Sequence, residues 1–271
     1  LPAALTAAGP GWQRVGMNMR SNHSAGMLAT TGLAALLAAC NGGDGATGPE
    51  ASQALYFTGC EEQTALLVVS PSSLPPLPEG FAYGRPLPGL PLAGIHISGS
   101  RCADLDGRGP TQDLLAFALI EPPESFKSAE VTAYGILLGG YTQHPSTAAA
   151  FKAWGMEDKV QAGTVDWQLT ATPLARIGSV SASGSGSSVR TQINGLGPPI
   201  QPGGGLTRAF HFAGGKAVAS MDAFYTPQTA MLGLGSAQQD GDGPLPLGFS
   251  VATGSHAWGY DLELRNPRRY P

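Results

Sequence analysis

Lys159 and Lys152 are the side chains of this sequence with the clearest nucleophilic chemistry open to them. A lysine attacks a carbonyl to form an imine only as the free amine. It must therefore lie in an apolar pocket or beside another cation, either of which lowers its pKa. Lys159 follows Glu157 and Asp158, which favour the ammonium form. Its bland alternative is a solvated lysine at a helix end. Lys152 has no charged residue within four positions in sequence. Only tertiary burial could free either amine, so the direction in which Lys152, Lys159 and Lys216 point decides between chemistry and surface.

Other reactive patterns are sparse. The sequence contains no G-x-S-x-G, no H-E-x-x-H and no P-loop. His96, His144, His211 and His256 stand singly, and a lone histidine on a strand is more often structural than a ligand. Asp104-Leu105-Asp106-Gly107 and Asp240-Gly241-Asp242-Gly243 carry part of a calcium-loop spacing, but neither is followed by the bidentate glutamate. Both read as turns. No metal site and no cofactor are expected. Cys60 and Cys102 form no C-x-x-C, so thiol redox catalysis and a zinc knuckle lack support. In an oxidising compartment two such cysteines pair, with Cα atoms about 4.4–6.8 Å apart. Two free buried thiols are the competing reading.

The elements that must position these residues are mostly strands. Hydrophobic residues make up 42% of the 271, enough for a packed core, while charged residues are only 13%. The 39 glycines and 23 prolines suit short strands joined by turns and oppose long helices. Strands are expected at 64–70, 93–101, 113–121, 130–142, 164–171, 174–183, 187–195, 206–213, 216–225 and 256–264. A Pro-rich stretch fills 71–91. Gly214-Gly215 signals a hairpin, and 197–205 and 239–248 read as loops. One helix is expected over 146–160, opening at His144-Pro145-Ser146. Many strands with one short helix predict an all-β-dominated fold, a β-barrel or sandwich, as a single domain over 55–271.

The N-terminal part reads as an address. After an upstream extension expected at 1–16, Met17 or Met19 begins a mildly positive stretch with Arg20 and His23. An apolar run of residues 27–39 follows, of signal-peptide length and too short to span a bilayer. Leu37-Ala38-Ala39-Cys40 resembles the lipobox of bacterial lipoproteins. The resemblance implies a signal peptide over 17–39, cleavage before Cys40 and a diacylglyceryl and acyl (palmitate) modification on Cys40. Residues 40–54 then form a Gly-rich tether. The expected place is the cell envelope, anchored in a membrane and facing the periplasm. Asn41, which is not the aspartate of inner-membrane retention, favours the outer membrane. From Cys40 onward there are 13 basic and 19 acidic residues and no basic stripe, so nucleic acid is not an expected partner. No protein partner is legible.

Residues 150–159, Ala-Phe-Lys-Ala-Trp-Gly-Met-Glu-Asp-Lys, resemble the signature of the acetoacetate decarboxylase family, where an aromatic-Gly-Phe-Pro-Lys-Lys run follows a strand and precedes a hairpin. The setting over about 93–225 is similar. The resemblance implies that family's β-barrel. It also implies a Schiff-base lysine whose pKa a second lysine lowers. Here Asp158 stands in the nucleophile's place and Lys159 matches the second lysine. An aspartate forms no imine and raises the pKa of a neighbouring lysine. The expectation is therefore a membrane-anchored barrel that binds a small apolar or carboxylated ligand without catalysis. The alternatives are a decarboxylase-like carbon–carbon lyase using Lys159 and a structural lipoprotein with no ligand.

Overall fold

A computed structural model describes residues 54–87, 89–156, 158–242, 248 and 250–270. Cys40, the signal segment and nearly all of the tether lie outside the described residues. The strands are β1 (Leu55–Val69), β2 (Ala82–Tyr83), β3 (Ala93–Leu105), β4 (Thr111–Glu121), β5 (Ala133–Thr142), β6 (Val160–Ala162) and β7 (Thr164–Thr172). They continue with β8 (Ala175–Gly184), β9 (Ser187–Leu196), β10 (Gly205–Ala213), β11 (Lys216–Tyr225), β12 (Thr229–Asp240) and β13 (Ser250–Arg269). Among the described residues a single α-helix, α1 (Pro145–Ala153), follows β5.

Pairing runs β1–β3–β4–β5–β10–β11–β13 and returns to the start, because β13 also pairs with β1. β13 is 20 residues long. One of its edges takes β1, and the other takes β12 along its first half and β11 along its second. Beyond β12 the sheet continues through β9 and β8 to β7. All ladders are antiparallel except β5–β10 and β5–β6. The result is an all-β protein. It is one large mixed sheet folded over on itself, within the all-β-dominated class expected from sequence.

This folding covers both faces of β1, β3 and β4. Alternate residues point to opposite faces of a strand, so each strand can serve two environments. Ala65, Leu67, Ile95, Ile97, Leu114 and Ala116 pack against Val165, Val180, Ala182, Val189 and Ile193 of the overlying strands. Each fully buried Val, Leu or Ile among them contributes about 1.5–3 kcal/mol. Gly99 lets the layers close, because a Cβ there would lie 2.7 Å from Val180 Cγ1. The intervening residues, including Glu62, His96, Ser98 and Asp113, face the other way, into the space enclosed by the returning sheet.

Several sequence expectations need correction, among them the last strand, which runs over Ser250–Arg269 rather than 256–264. The helix stops at Ala153 rather than 160, because Gly155 takes a left-handed φ of 75° and Val160–Ala162 pairs in parallel with β5. The expected loop at 239–248 begins inside β12, a strand missed entirely. β1 starts at Leu55, well before 64. The hairpin at Gly214-Gly215 is as expected, with φ values of 58° and 75°.

Candidate functional site

The returning sheet encloses a cavity of about 470 Å³. Its walls come from alternate residues of β1, β3, β4, β10, β11 and β13, and α1 adds Thr147 and Phe151. Most of the surface is apolar: Phe57, Leu115, Phe117, Met221, Leu262 and Leu264 are typical. Leu232 and Ile200 belong to the wall and also reach solvent, with Leu232 61% exposed. They mark an apolar mouth.

The polar part of the wall is compact. Strand register places Glu62 opposite Ser100, Ser100 opposite Asp113 and Asp113 opposite Thr142, in one row across β1, β3, β4 and β5. Thr64 and Ser98 form the next row, and His96 the one beyond. Glu62 is held by hydroxyls. Thr64 Oγ1 donates to Oε1 at 3.0 Å, Ser98 Oγ donates to the same oxygen, and Tyr260 Oη donates to Oε2 at 3.2 Å. Burial and the neighbouring Glu62 carboxylate push the Tyr260 phenol well above its ordinary pKa, so it remains a donor. Burial lowers the His96 pKa, with a smaller opposing pull from Glu62. His96 is therefore an uncharged imidazole at neutral pH.

Asp113 is 4% exposed. Burial pushes its carboxyl up to about 6, against the opposing effects of the Thr142 and Thr111 hydroxyls and the charge of His144. Its Oδ2 accepts from Thr111 Oγ1 at 3.2 Å, while its Oδ1 has no hydrogen-bond partner. Thr147 Oγ1, on α1, is likewise buried without a partner. A buried polar group without a partner forfeits the full cost of its desolvation. Both residues belong to the cavity wall.

None of the lysines singled out from sequence lines this cavity. Lys152 and Lys216 are exposed. Lys159 has a side chain 33% exposed and pairs with Asp158 at 3.1 Å. Cys60 and Cys102 are disulfide-bonded. They stand directly opposite on the adjacent strands β1 and β3, so their Cα atoms are 4.0 Å apart, closer than the expected window. His144 caps α1, its Nδ1 accepting from Ser146 N–H at 3.2 Å, and His256 bonds the Ile193 carbonyl between the layers. Asp104 accepts from the Gly107 and Gly109 amides, the turn expected. Among the described residues no three His, Cys, Asp or Glu side chains gather as a metal-ligand set. Sequence reasoning passed over Glu62, Asp113 and Tyr260. Their signal is alternation across paired strands, which exists only once the register is known.

No protein-family profile matches the sequence, and no curated protein matches it. Solved structures do. The enduracididine biosynthesis enzyme MppR with HEPES buffer bound superposes with a TM-score of 0.51 at 14% identity, over 80% of this chain and 87% of that one. The same enzyme complexed with the condensation product of pyruvate and imidazole 4-carboxaldehyde gives 0.50 at 13% identity, over 80% and 89%. A structure of acetoacetate decarboxylase gives 0.49 at 11% identity, over 80% and 89%. At these identities the likeness to the enduracididine biosynthesis enzyme is one of fold alone.

Proposed function

We propose that this protein is an exported, lipid-anchored envelope protein whose folded sheet binds a small, mainly apolar molecule in its cavity without forming an imine. The observation that carries the reading is the cavity wall itself. It is roomy and largely apolar, and it includes none of Lys127, Lys152, Lys159 and Lys216, the chain's only lysines. Imine chemistry needs a free amine at the carbonyl, and the environment that would free one is not where the lysines are. Lys159 is partly exposed to water and pairs with Asp158 away from the cavity wall. A cavity of this size with a few convergent polar groups is the ordinary form of a small-molecule site.

Incubation with acetoacetate and borohydride tests the absence of imine chemistry. No mass adduct should form on the intact protein, and no carbon dioxide should be released above background. A stoichiometric adduct that maps to Lys159 and disappears in Lys159→Met would establish the decarboxylase-like lyase instead.

The anchor reading rests on Leu37-Ala38-Ala39-Cys40 and the apolar run before it. Stable attachment takes more than one acyl chain, which is what a modified Cys40 would supply. Cys40→Ala should abolish palmitate labelling and shift the protein from the membrane to the soluble fraction or to an uncleaved precursor. Continued labelling with full membrane partitioning would show that the anchor lies elsewhere. The outer membrane, with the domain in the periplasm, is the proposed site.

A further inference from the structure

Glu61 and Glu62 are consecutive, so the strand sends them to opposite faces. Glu61 faces the overlying strands and is matched by two guanidiniums, with Arg101 Nη2 at 2.6 Å and Arg176 Nη2 of β8 at 3.3 Å. Glu62 faces the cavity, where hydroxyls hold it and no ion pair forms among the described residues. Among the described residues the cavity wall includes no lysine and no arginine, and its single basic side chain, His96, is half-buried. A second carboxyl, Asp113, stands two strands away with Ser100 between, about 10 Å by strand spacing. Asp113 Oδ1 and Thr147 Oγ1 lack partners. An anionic ligand would meet two carboxyls here, with no compensating cation. A donor-rich cation would supply the missing counter-charge and hydrogen-bond partners.

We propose that the cavity selects molecules joining an apolar body to an ammonium-like cationic group, with Glu62 as the counter-charge and Asp113 and Thr147 as further acceptors. This assignment rests on the cavity being a binding site. It replaces the carboxylated ligand of the sequence-based expectation with a cationic one. The apolar body fits the aliphatic and aromatic wall, and the mouth at Leu232 and Ile200 admits it.

Three probes of similar shape and different charge provide the test: 2-phenylethylammonium, 2-phenylethanol and 3-phenylpropanoate. Each is titrated calorimetrically at pH 7.5 into the full chain in lipid nanodiscs, with empty nanodiscs as the blank. A charge-assisted hydrogen bond contributes about 1.5–3 kcal/mol, so the ammonium should bind roughly tenfold to a hundredfold more tightly than the alcohol. The carboxylate should bind most weakly. Glu62→Gln should bring the ammonium to within about threefold of the alcohol while alcohol binding persists, which also shows that the variant is folded. The order among the probes in the unaltered protein decides the question even if that variant fails to fold. Alcohol binding with no preference for the ammonium would overturn the charge assignment and leave the cavity reading intact. Binding of none of the three would overturn both.

Discussion

Replacing Cys60 and Cys102 together by alanine is expected to lower the stability of the folded protein by about 4 kcal/mol in the chain-entropy account. The two residues are 42 apart in sequence, and the bond between them shortens the conformational freedom of the unfolded chain over that whole span. The loop so closed contains the Pro-rich stretch, which Leu74, Leu77, Phe81 and Tyr83 pack against the core. The Phe81 ring meets Phe126, Phe210 and Phe212 with centroids 5.2, 5.3 and 4.9 Å apart. The double variant carries no thiol at either position, so the loss should appear as a lower denaturant midpoint with no disulfide exchange to complicate it. Equal midpoints for the double variant and the parent, each measured under non-reducing conditions, would show that the bond is energetically idle.

Asp113→Asn is expected to stabilise the protein by about 3 kcal/mol at pH 8 and to make little difference at pH 4. The carboxyl has a folded-state pKa of about 6 against an ordinary 3.8. The native state therefore holds this proton more tightly than the unfolded chain does. Stability associated with the protonated form is complete below the unfolded value and is lost as pH rises through about 6. A difference of about two pKa units corresponds to about 3 kcal/mol. Asparagine has the same shape, and it titrates nowhere in that range. Urea unfolding of both proteins at half-unit steps from pH 4 to pH 8 should give curves that separate between pH 4 and pH 6. Curves that run parallel would show that the buried carboxyl has an ordinary pKa. The same variant weakens the acidic end of the cavity, so a gain in stability at the expense of cation binding would identify the carboxyl as a functional cost.

The fold class was legible because β8 and β9 alternate strictly between buried and exposed positions, with Val180, Ala182, Val189 and Ile193 on the covered face. β12 was not legible. Its Met-Leu-Gly-Leu-Gly-Ser reads as a loop because glycine is poor in strands. The sheet needs glycine there, since a Cβ at Gly233 or Gly235 would overlap the carbonyl oxygens of Asn194 and Gln192. The lysines attracted attention because imine chemistry has a local sequence signature. Glu62 and Asp113 have none. They are 51 residues apart, and two ladders bring them into one row. A site assembled by cross-strand register is invisible to any window of sequence shorter than the pairing that builds it.

The long strand at Ser250–Arg269 ties the first described strand, Leu55–Val69, to the rest of the ring. Glu62 pairs with Ala257 across nearly the whole described chain. During synthesis the ribosome must release almost everything in between before this seam can form. Such distant pairings make folding slow, because the entropy of closing the loop is lost before any contact repays it. Until residue 250 emerges the cavity lacks a wall, and the free edge of β1 is open to wrong partners. Nonsense truncation anywhere before Ser250 should leave an open-edged, aggregation-prone product rather than a smaller working protein.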